Sequence, residues 1–351
     1  MSNIIQYKCP SCGAVLTFDS TTQKMKCPYC DTEFNVDSST VINQSNTDYN
    51  TFNDNESENL GIYHCDSCGA EVIADSTTAA TNCPYCENAI ILKGRLSGEL
   101  KPDLIIPFKY DKEAAKQALG DHLRGKKLLP KVFSSENHLD EIKGVYIPFW
   151  IYDTDVIADV NYSATNLRTW SDTRYQYTET SYYDVKRKGR LSFESLPVDA
   201  LSSLPNEMTE SLEIFDSKKA VPFNTAYLSG FFANKYDVSK EECAIRAKDR
   251  INKSCLNELA STVRNYSSVS TQSSSIQLQN TRASYGLYPV WLLNTTWRGN
   301  KYTFAMNGES GKFVGNLPID KGIYWRYRLL YGGGIAAALF AVAYFLFGGI
   351  L

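Results

Sequence analysis

The sequence predicts an α+β protein with two small cysteine-anchored modules, a β-rich domain that carries a few helices, and one long C-terminal apolar helix. Three observations lead to this prediction: a repeated set of cysteine pairs, a high content of aromatic residues, and an uninterrupted apolar segment at the C-terminus. With 351 residues the chain is long enough for more than one domain. The 23 tyrosines and 16 phenylalanines favour extensive β-structure.

The two modules are defined by cysteine pairs at matching positions. Within each module fourteen residues separate two Cys-x2-Cys pairs, and each cysteine recurs 56 positions later. A Cys-x2-Cys pair turns both sulfurs toward one point, and two such knuckles supply four thiolates for a tetrahedral Zn²⁺ site. We therefore expect two zinc ribbons that bind two ions. The predicted ligands are Cys9, Cys12, Cys27 and Cys30 in the first ribbon, and Cys65, Cys68, Cys83 and Cys86 in the second.

Disulfides, buried free thiols and iron are the alternatives for these cysteines. Disulfides require an oxidising compartment, whereas the N-terminus carries no basic and apolar secretory signal. Iron is the minor chemical alternative, since four thiolates also accept iron. Each module has little apolar sequence of its own, so metal binding is expected to be coupled to folding.

The C-terminal segment is the strongest change in composition. Residues 329–351 are uncharged and mostly apolar, and 23 residues at about 1.5 Å each make a helix of roughly 35 Å, enough for a hydrocarbon core of ~30 Å. This predicts a transmembrane helix, with a buried core helix as the alternative. Arg326 and Arg328 flank it on one side and no charge follows it. The positive-inside rule then predicts a single-pass cell-membrane protein whose bulk is cytoplasmic.

Composition divides the chain into five regions. The predicted regions are ribbon 1 (1–37), a disordered linker (38–60), ribbon 2 (61–95), an α+β cytoplasmic domain (101–328) and the transmembrane helix (329–351). The linker has too few apolar residues to offset the entropy of ordering, so the ribbons are expected to reorient relative to each other. Residues 101–328 are predicted to be one domain or a degenerate duplication, because Lys109-Tyr110-Asp111 is echoed by Lys235-Tyr236-Asp237.

Local signals place several elements inside the α+β domain. Asp111 is suited to cap a helix that runs to Lys126, and Ser239 with Glu242 forms a capping box for a longer helix. Cys243 and Cys255 lie on that second helix and are interpreted as ordinary helix thiols. Further predictions are strands at 146–152, 156–162 and 288–293, a Ser-rich loop around 273–275, and turns at 298–300 and 307–311.

Charge distribution bears on the class of partner. The first hundred residues contain thirteen acidic and five basic residues, a balance of −8, and two ions held by four thiolates each take it to about −12. Such a segment repels a phosphate backbone. The opposite signal is the cluster Lys186, Arg187, Lys188 and Arg190, which is predicted to form a hairpin tip. One interpretation is that this cluster contacts anionic lipid or nucleic acid. The favoured interpretation is a solvated turn.

No catalytic motif is present in the sequence. The stretch from Gly308 to Lys312 lacks the spacing of a phosphate-binding loop, and there is no His-Glu-x-x-His, Gly-x-Ser-x-Gly or dinucleotide fingerprint. Three histidines offer little general-base chemistry, and a four-thiolate shell leaves zinc no open position. The prediction is a non-enzyme. Carboxylates brought together by folding remain the open alternative.

Four features together resemble a bacterial family. They are the paired ribbons, the strand Tyr146-x-Pro148-x-Trp150, the turn from Asn307 to Lys312 and the terminal apolar segment. The chain resembles the membrane-anchored double-zinc-ribbon proteins of Gram-positive bacteria, often labelled transcription-factor-IIB-type zinc ribbon proteins or primosomal helicases. That resemblance implies partners such as phage shock protein A and flotillin-like SPFH scaffolds, and a role in envelope stress.

The functional prediction is a tail-anchored, non-enzymatic membrane adaptor. Its ribbons would recruit protein partners at the cytoplasmic face of the membrane, and its oligomeric state is left open. The alternative is a membrane-tethered nucleic-acid-binding protein in transcription or replication, which would use Lys186, Arg187, Lys188 and Arg190.

Overall fold

The computed structural model describes most of the chain. The described residues are 4–36, 60–92 apart from positions 66, 69, 70, 76, 84, 85 and 87, then 100–134, 139–212, 215–315 and 317–347. The predicted linker (38–60) lies outside them, apart from its last residue. The fold is α+β, with one large mixed sheet, two small sheets and few helices, as predicted.

The elements follow the chain in this order. The strands of the N-terminal part are β1 (Ile4–Ile5), β2 (Thr17–Asp19), β3 (Lys24–Lys26), β4 (Glu33–Phe34), β5 (Leu60–His64), β6 (Glu71–Asp75), β7 (Thr78–Asn82) and β8 (Ala89–Leu92). The remaining strands are β9 (Leu104–Ile105), β10 (Lys143–Ser171), β11 (Gln176–Asp199), β12 (Val221–Pro222), β13 (Phe232–Asn234), β14 (Ser268–Trp297), β15 (Asn300–Asn307) and β16 (Phe313–Gly315). The α-helices are α1 (Lys112–Leu123), α2 (Asn206–Leu212), α3 (Lys240–Ser261) and α4 (Lys321–Phe347).

Three very long strands dominate the large sheet. β10, β11 and β14 contain 29, 24 and 30 residues, and β10 lies between the other two in antiparallel pairing. Their distal parts form a projection, here called the β-finger, made of residues 153–171, 176–195 and 268–282. At roughly 3.3 Å per residue, residues 153–171 alone extend about 60 Å. The proximal parts of β10 and β14 form the centre of the sheet in the order β1-β8-β7-β13-β10-β14-β15-β16.

The turn of the β-finger lies at Asp172, not at the basic cluster. The Asp172 carboxylate accepts backbone N–H bonds from Arg174 and Tyr175 at 2.8 and 2.7 Å, which closes the turn between β10 and β11. The predicted hairpin tip at residues 186–190 is therefore wrong. Those residues lie inside β11 and pair with residues 157–161 of β10. A run of charges resembles a turn in sequence, but it is also typical of an edge strand, where charge opposes pairing with other chains.

Helix α3 covers one face of the β-finger. Its capping box is present as predicted, with Ser239 and Glu242 bonding each other's backbone N–H groups. The buried side of the helix packs on alternate β10 residues, because successive side chains of a strand point to opposite faces. The contact cluster includes Ile251, Cys255 and Leu259 from α3, and Val156, Ala158, Val160, Tyr162 and Ala164 from β10.

Two other local predictions are corrected. The Ser-rich stretch at 273–275 is not a loop but part of β14, since it continues the ladder with residues 159–161 of β10. The first helix ends at Leu123 rather than Lys126, although Asp111 caps it as predicted, accepting from the Ala114 N–H at 2.7 Å. The predicted turns at 298–300 and 307–311 are confirmed; each joins neighbouring antiparallel strands.

The turn from Asn307 to Gly311 is a structural junction. Asn307 is fully buried, and its side-chain oxygen accepts the N–H groups of Glu309 and Ser310 at 2.9 Å each. Glu309 is also buried and pairs with Lys219. A side chain at Gly308 would lie 2.6 Å from the Phe108 ring, so only glycine fits there. These contacts account for the turn without any phosphate-binding role.

Strands of both cysteine modules join the large sheet. β1 pairs with β8, and β7 pairs with β13, so the N-terminal modules extend one side of the sheet. Leu16, Phe18 and Met25 of the first module belong to the same buried cluster as Phe108 and Trp291. The expectation that the ribbons reorient freely does not hold for this arrangement. The apolar residues of the first module are buried in the core of the sheet, whereas most of those of the second module, among them Val72, Ile90 and Leu92, form a smaller cluster with Ile4.

Candidate metal centres and membrane helix

Each cysteine pair lies in a tight turn beside short strands. In the first module one knuckle precedes β2 and the other joins β3 to β4. The residues that follow the second cysteine of each knuckle, Gly13 and Asp31, have φ angles of 77° and 55°. Their N–H groups bond to the carbonyls of Cys9 and Cys27 at 2.8 and 3.0 Å. Asp31 thus adopts the left-handed conformation that a glycine would adopt without cost.

The sulfurs of each module converge on one point. In the first module Cys9 and Cys30 lie 3.6 Å apart, and Cys12 and Cys27 lie 3.5 Å apart, measured between Sγ atoms. In the second module the corresponding Cys65–Cys86 and Cys68–Cys83 distances are both 3.7 Å. Within each quartet all four ligand atoms lie within 4.8 Å of one another.

These distances fit a tetrahedral metal and not a disulfide. A Zn–S bond of about 2.3 Å gives tetrahedral S···S edges of about 3.8 Å. A disulfide would bring two sulfurs to about 2.05 Å, whereas all ten cysteines are free thiols. Two four-cysteine centres, each able to hold a metal ion, are therefore present at the eight predicted ligand positions.

Backbone and side-chain donors surround the sulfurs. The Ala14 N–H donates to the Cys12 sulfur, and the Asn88 N–H donates to the Cys86 sulfur. The Thr32 hydroxyl lies 3.2 Å from the Cys30 sulfur. That hydroxyl, with the Thr32 N–H, lowers the pKa of Cys30 to about 6. Donors of this kind favour the thiolate, the form that binds metal. In the metal-free protein, contact with the Cys27 sulfur nevertheless raises the pKa of Cys12, and burial raises the pKa of Cys86.

Each knuckle contributes one buried cysteine and one more accessible cysteine to its quartet. Cys9 and Cys27 are buried, whereas Cys12 and Cys30 are exposed. The same alternation appears in the second quartet, where Cys65 and Cys83 are buried. Among the large hydrophobic side chains of residues 4–36, the most exposed is Tyr29, beside Cys30, at 78% exposure. A metal ion bound here would fix the position of this exposed surface relative to the core.

The two centres lie on either side of a shared groove. The Ser67 hydroxyl, between Cys65 and Cys68 in the chain, donates to the Gln6 side-chain oxygen at 3.1 Å. The groove is lined by Cys12 and Tyr29 from the first module and by Ser67 and Asn88 from the second. Since four cysteines fill a tetrahedral shell, neither quartet leaves an open position for a water nucleophile.

Helix α4 is long and apolar enough to cross a membrane. The segment Lys321–Tyr344 has 24 residues, and its apolar part is not buried against the rest of the protein. All residues from 329 to 344 are exposed, which argues against the alternative of a core helix. The helix begins eight residues before the predicted span, where the Asp320 carboxylate accepts the N–H groups of Gly322 and Ile323.

The first turns of α4 carry aromatic and basic side chains together. The Arg328 guanidinium lies over the Trp325 ring at 5.0 Å, and the Tyr327 and Tyr331 rings stack at 5.8 Å. Trp, Tyr and Arg are enriched where membrane helices meet the headgroup layer. The sequence pattern predicted Arg326 and Arg328 as flanking residues but not Tyr324 and Trp325, because the helix was predicted to begin at residue 329.

The structure divides the basic cluster between two faces of β11. Arg187 lies on the face covered by α3, and its guanidinium donates to the Thr262 hydroxyl at 3.1 Å and to the Thr262 carbonyl at 3.4 Å. It thus caps the C-terminal end of α3. Lys186, Lys188 and Arg190 lie on the other face, where Lys188 pairs with Asp159 at 3.4 Å. Three of the four cations therefore share one exposed surface.

Sequence comparison gives a relative that spans the whole chain. A protein of Bacillus subtilis (strain 168) named "Uncharacterized protein YdjG" is 35% identical over 346 residues, which cover 99% of both chains. The chain belongs to the YdjG family. No family model matches this YdjG-family sequence, and no solved structure matches it.

The principal feature that the sequence reasoning missed in this YdjG-family protein is the tip of the β-finger. Trp170 stacks on Tyr177 at 5.6 Å, and the Arg168 guanidinium lies 5.5 Å from the centre of the Trp170 ring. Tyr182, on the opposite face, is 77% exposed. The Tyr-rich alternation was visible in sequence. Its exposure was not, because that depends on how far the strands extend beyond α3.

Proposed function

We propose that this protein is a single-pass, tail-anchored membrane adaptor whose two zinc ribbons bind protein partners at the cytoplasmic face. The observation that carries the proposal is the arrangement of each quartet, in which every Cys-x2-Cys knuckle contributes one buried cysteine and one cysteine that is exposed or half-buried. A filled four-cysteine shell suits a structural role, and zinc is the ion that prefers it. Iron remains the chemical alternative.

Helix α4 supports the anchoring part of the proposal. It is exposed from residue 329 to residue 344 and begins with an aromatic and basic belt, which suits insertion from the side that carries Arg326 and Arg328. The bulk of the chain would then lie in a reducing compartment, where thiolates are available for metal.

Tyr29 is the best candidate for a partner contact on the ribbons. An exposed tyrosine supplies a large rigid contact area with a polar end, and tyrosine is enriched at the energetic centres of interfaces. It lies beside the groove between the two quartets. Loss of metal would release the knuckle that carries it, so partner binding is expected to depend on metal.

The experiment compares surface variants that keep the metal. Full-length protein, Y29A and Y182A are purified from gently solubilised membranes, and co-purifying proteins are identified by mass spectrometry. Tyr29 and Tyr182 are almost equally exposed, at 78% and 77%, so Y182A is a matched control on the β-finger. The proposal expects specific partners to be lost with Y29A while metal content stays unchanged. If the partners remained bound to Y29A but were lost with Y182A, the docking site would lie on the β-finger and not on the ribbons.

The proteins that co-purify in this experiment also test the suggested partners. The family resemblance makes SPFH scaffolds and phage-shock-type proteins in envelope stress the first candidates to look for. Recovery of nucleic acid or of transcription and replication proteins would instead favour the alternative function. That alternative rests on Lys186, Lys188 and Arg190, which share one exposed face, and its binding should weaken steeply as salt rises.

A further inference from the structure

The β-finger has two outer edges with opposite chemistry. One is β11, which within the described part of the chain pairs with β10 alone. The other is the distal part of β14, residues 268–282, which pairs with β10 on one side. Among the described residues no strand pairs with the outer side of this part of β14, since its other partners, β9 and β15, begin at Gly286 and Val290. Both edges therefore present backbone donors and acceptors to solvent.

One of these edges carries positive charges that oppose pairing with another strand, and the other edge carries no charge. The β11 edge carries Lys186, Arg187, Lys188 and Arg190 within five residues. Two such edges would repel each other, and cations on an edge are a common defence against strand pairing. The β14 edge from Ser268 to Thr281 has no charged residue, no glycine and no proline. It lacks the usual chemical obstacles to accepting another strand.

The β14 edge also leaves an apolar row incomplete. Helix α3 packs chiefly on β11 and β10, and only marginally on β14. Ile276 and Leu278, on the covered face, contact the cluster under α3 but remain half-buried. A strand added beside β14 would cover them only if it presented apolar side chains at matching positions.

A second copy of the same strand meets that condition. Two β14 edges placed antiparallel about a two-fold axis at Gln277 put Ile276 of each copy opposite Leu278 of the other. Gln277 then faces itself on the other side of the sheet, where amide side chains can hydrogen-bond to each other. The segment 273–279 keeps one uninterrupted register with β10, and a register shift limits it at each end. Seven residues are enough to define the pairing.

We infer that two copies of this protein associate through the β14 edges of their β-fingers, forming a continuous six-stranded antiparallel sheet centred on Gln277. Directly opposed apolar residues and a new backbone ladder supply the attraction. The inference does not depend on partner binding by the ribbons. If α4 anchors both copies in one membrane, the effective concentration of the edges rises and favours even a short pairing.

The test uses two differently tagged full-length proteins co-expressed in the same cells. The fraction of one tag captured with the other is measured after gentle solubilisation. Four combinations are compared: wild type with wild type, Q277K with Q277K, Q277E with Q277E, and Q277K with Q277E. Like charges directly opposed across strands disfavour pairing and opposite charges favour it. We expect recovery to fall by up to about fivefold in both like-charge combinations and to return to near wild type in the mixed one.

The mixed combination separates pairing from misfolding. A substitution that only disrupted the β-finger would not be rescued by a second, oppositely charged variant. T180K provides a matched control, because Thr180 is an exposed residue of β11 near the tip. It should leave recovery unchanged. Absence of wild-type capture, capture that persists in Q277K with Q277K, or no rescue in the mixed combination would each overturn the inference.

Discussion

Ser229 binds Leu16 across the junction between the first cysteine module and the large sheet. The Ser229 hydroxyl donates to the Leu16 carbonyl at 2.6 Å, and the Phe18 N–H donates to the Ser229 carbonyl at 2.9 Å. Ser229 and Leu16 are both buried. The module is thus held by its backbone as well as by its apolar side chains.

The first prediction concerns this junction. S229A should leave the Leu16 carbonyl buried without its donor, at a cost of about 1–3 kcal/mol in the free energy of unfolding. Urea unfolding followed by tryptophan fluorescence measures the loss. The matched control is S211A, whose hydroxyl donates to the Glu207 carbonyl at 2.6 Å but is exposed. Equal effects of the two variants would show that burial at the junction contributes nothing.

The second prediction concerns metal removal. Because Cys9 and Cys27 lie in the same buried cluster as Trp291, a chelator should destabilise the large sheet and not the ribbons alone. A ligand held at a thousand times its Kd contributes about 4 kcal/mol, so the loss should be at least of that order. Thermal unfolding is followed by tryptophan fluorescence with and without chelator. An unchanged transition after verified metal loss would contradict the shared core.

The third prediction concerns metal content. C12S removes an exposed ligand of the first quartet and should reduce bound metal from about two ions per chain to about one, because a structural site requires its full ligand set. C255S is the matched control, since Cys255 lies on α3 outside both quartets. Elemental analysis gives the stoichiometry and also distinguishes zinc from iron. Two ions retained by C12S would show that Cys12 is not a ligand.

Much of the candidate site was predictable because its signals are local. Cys-x2-Cys spacing determines which sulfurs can converge, and the capping residues Asp111 and Ser239 mark helix starts through bonds within three residues. The apolar length of α4 likewise depends on composition alone. In each case neighbouring residues determine the structure, so the sequence is sufficient.

The rest of the fold depends on long-range pairing. The Ser-rich segment around 273–275 has weak strand propensity, and it is extended because residues 159–161 pair with it from more than a hundred positions away. The basic cluster was misplaced for the same reason, since only pairing with β10 shows that Lys188 lies within a strand. Contacts between Ser229 and Leu16 were equally invisible in sequence, and with them the attachment of the ribbons.

The fourth prediction concerns the support of the β-finger by α3. I251A should destabilise the β-finger by about 2–5 kcal/mol, because Ile251 is 1% exposed against β10 and its truncation leaves a cavity. Hydrogen exchange measured on peptides covering 156–164 should show the loss of protection. I245A is the matched control on the same helix, since Ile245 is 72% exposed. Faster exchange confined to α3 would mean that the β-finger is stable without the helix.

The fifth prediction concerns the buried thiol Cys243. Burial raises the pKa of this thiol to about 11, whereas an unperturbed cysteine ionises near pH 8.5. The thiolate is the reactive form, so iodoacetamide should label Cys243 in the folded, metal-loaded protein only slowly at pH 9 and faster as the pH approaches 11.

The raised pKa also means that the stabilisation from the neutral buried thiol is complete below about pH 8.5. This stabilisation is lost as the pH rises toward the pKa of Cys243 in the folded protein. Labelling is quantified by peptide mass spectrometry, with urea-denatured protein at each pH as the reference. In the folded protein the Cys243 thiol donates to the Asp199 carbonyl at 3.4 Å. Equal labelling of folded and denatured protein at pH 9 would show that Cys243 is accessible and ionised, and that this packing does not protect it.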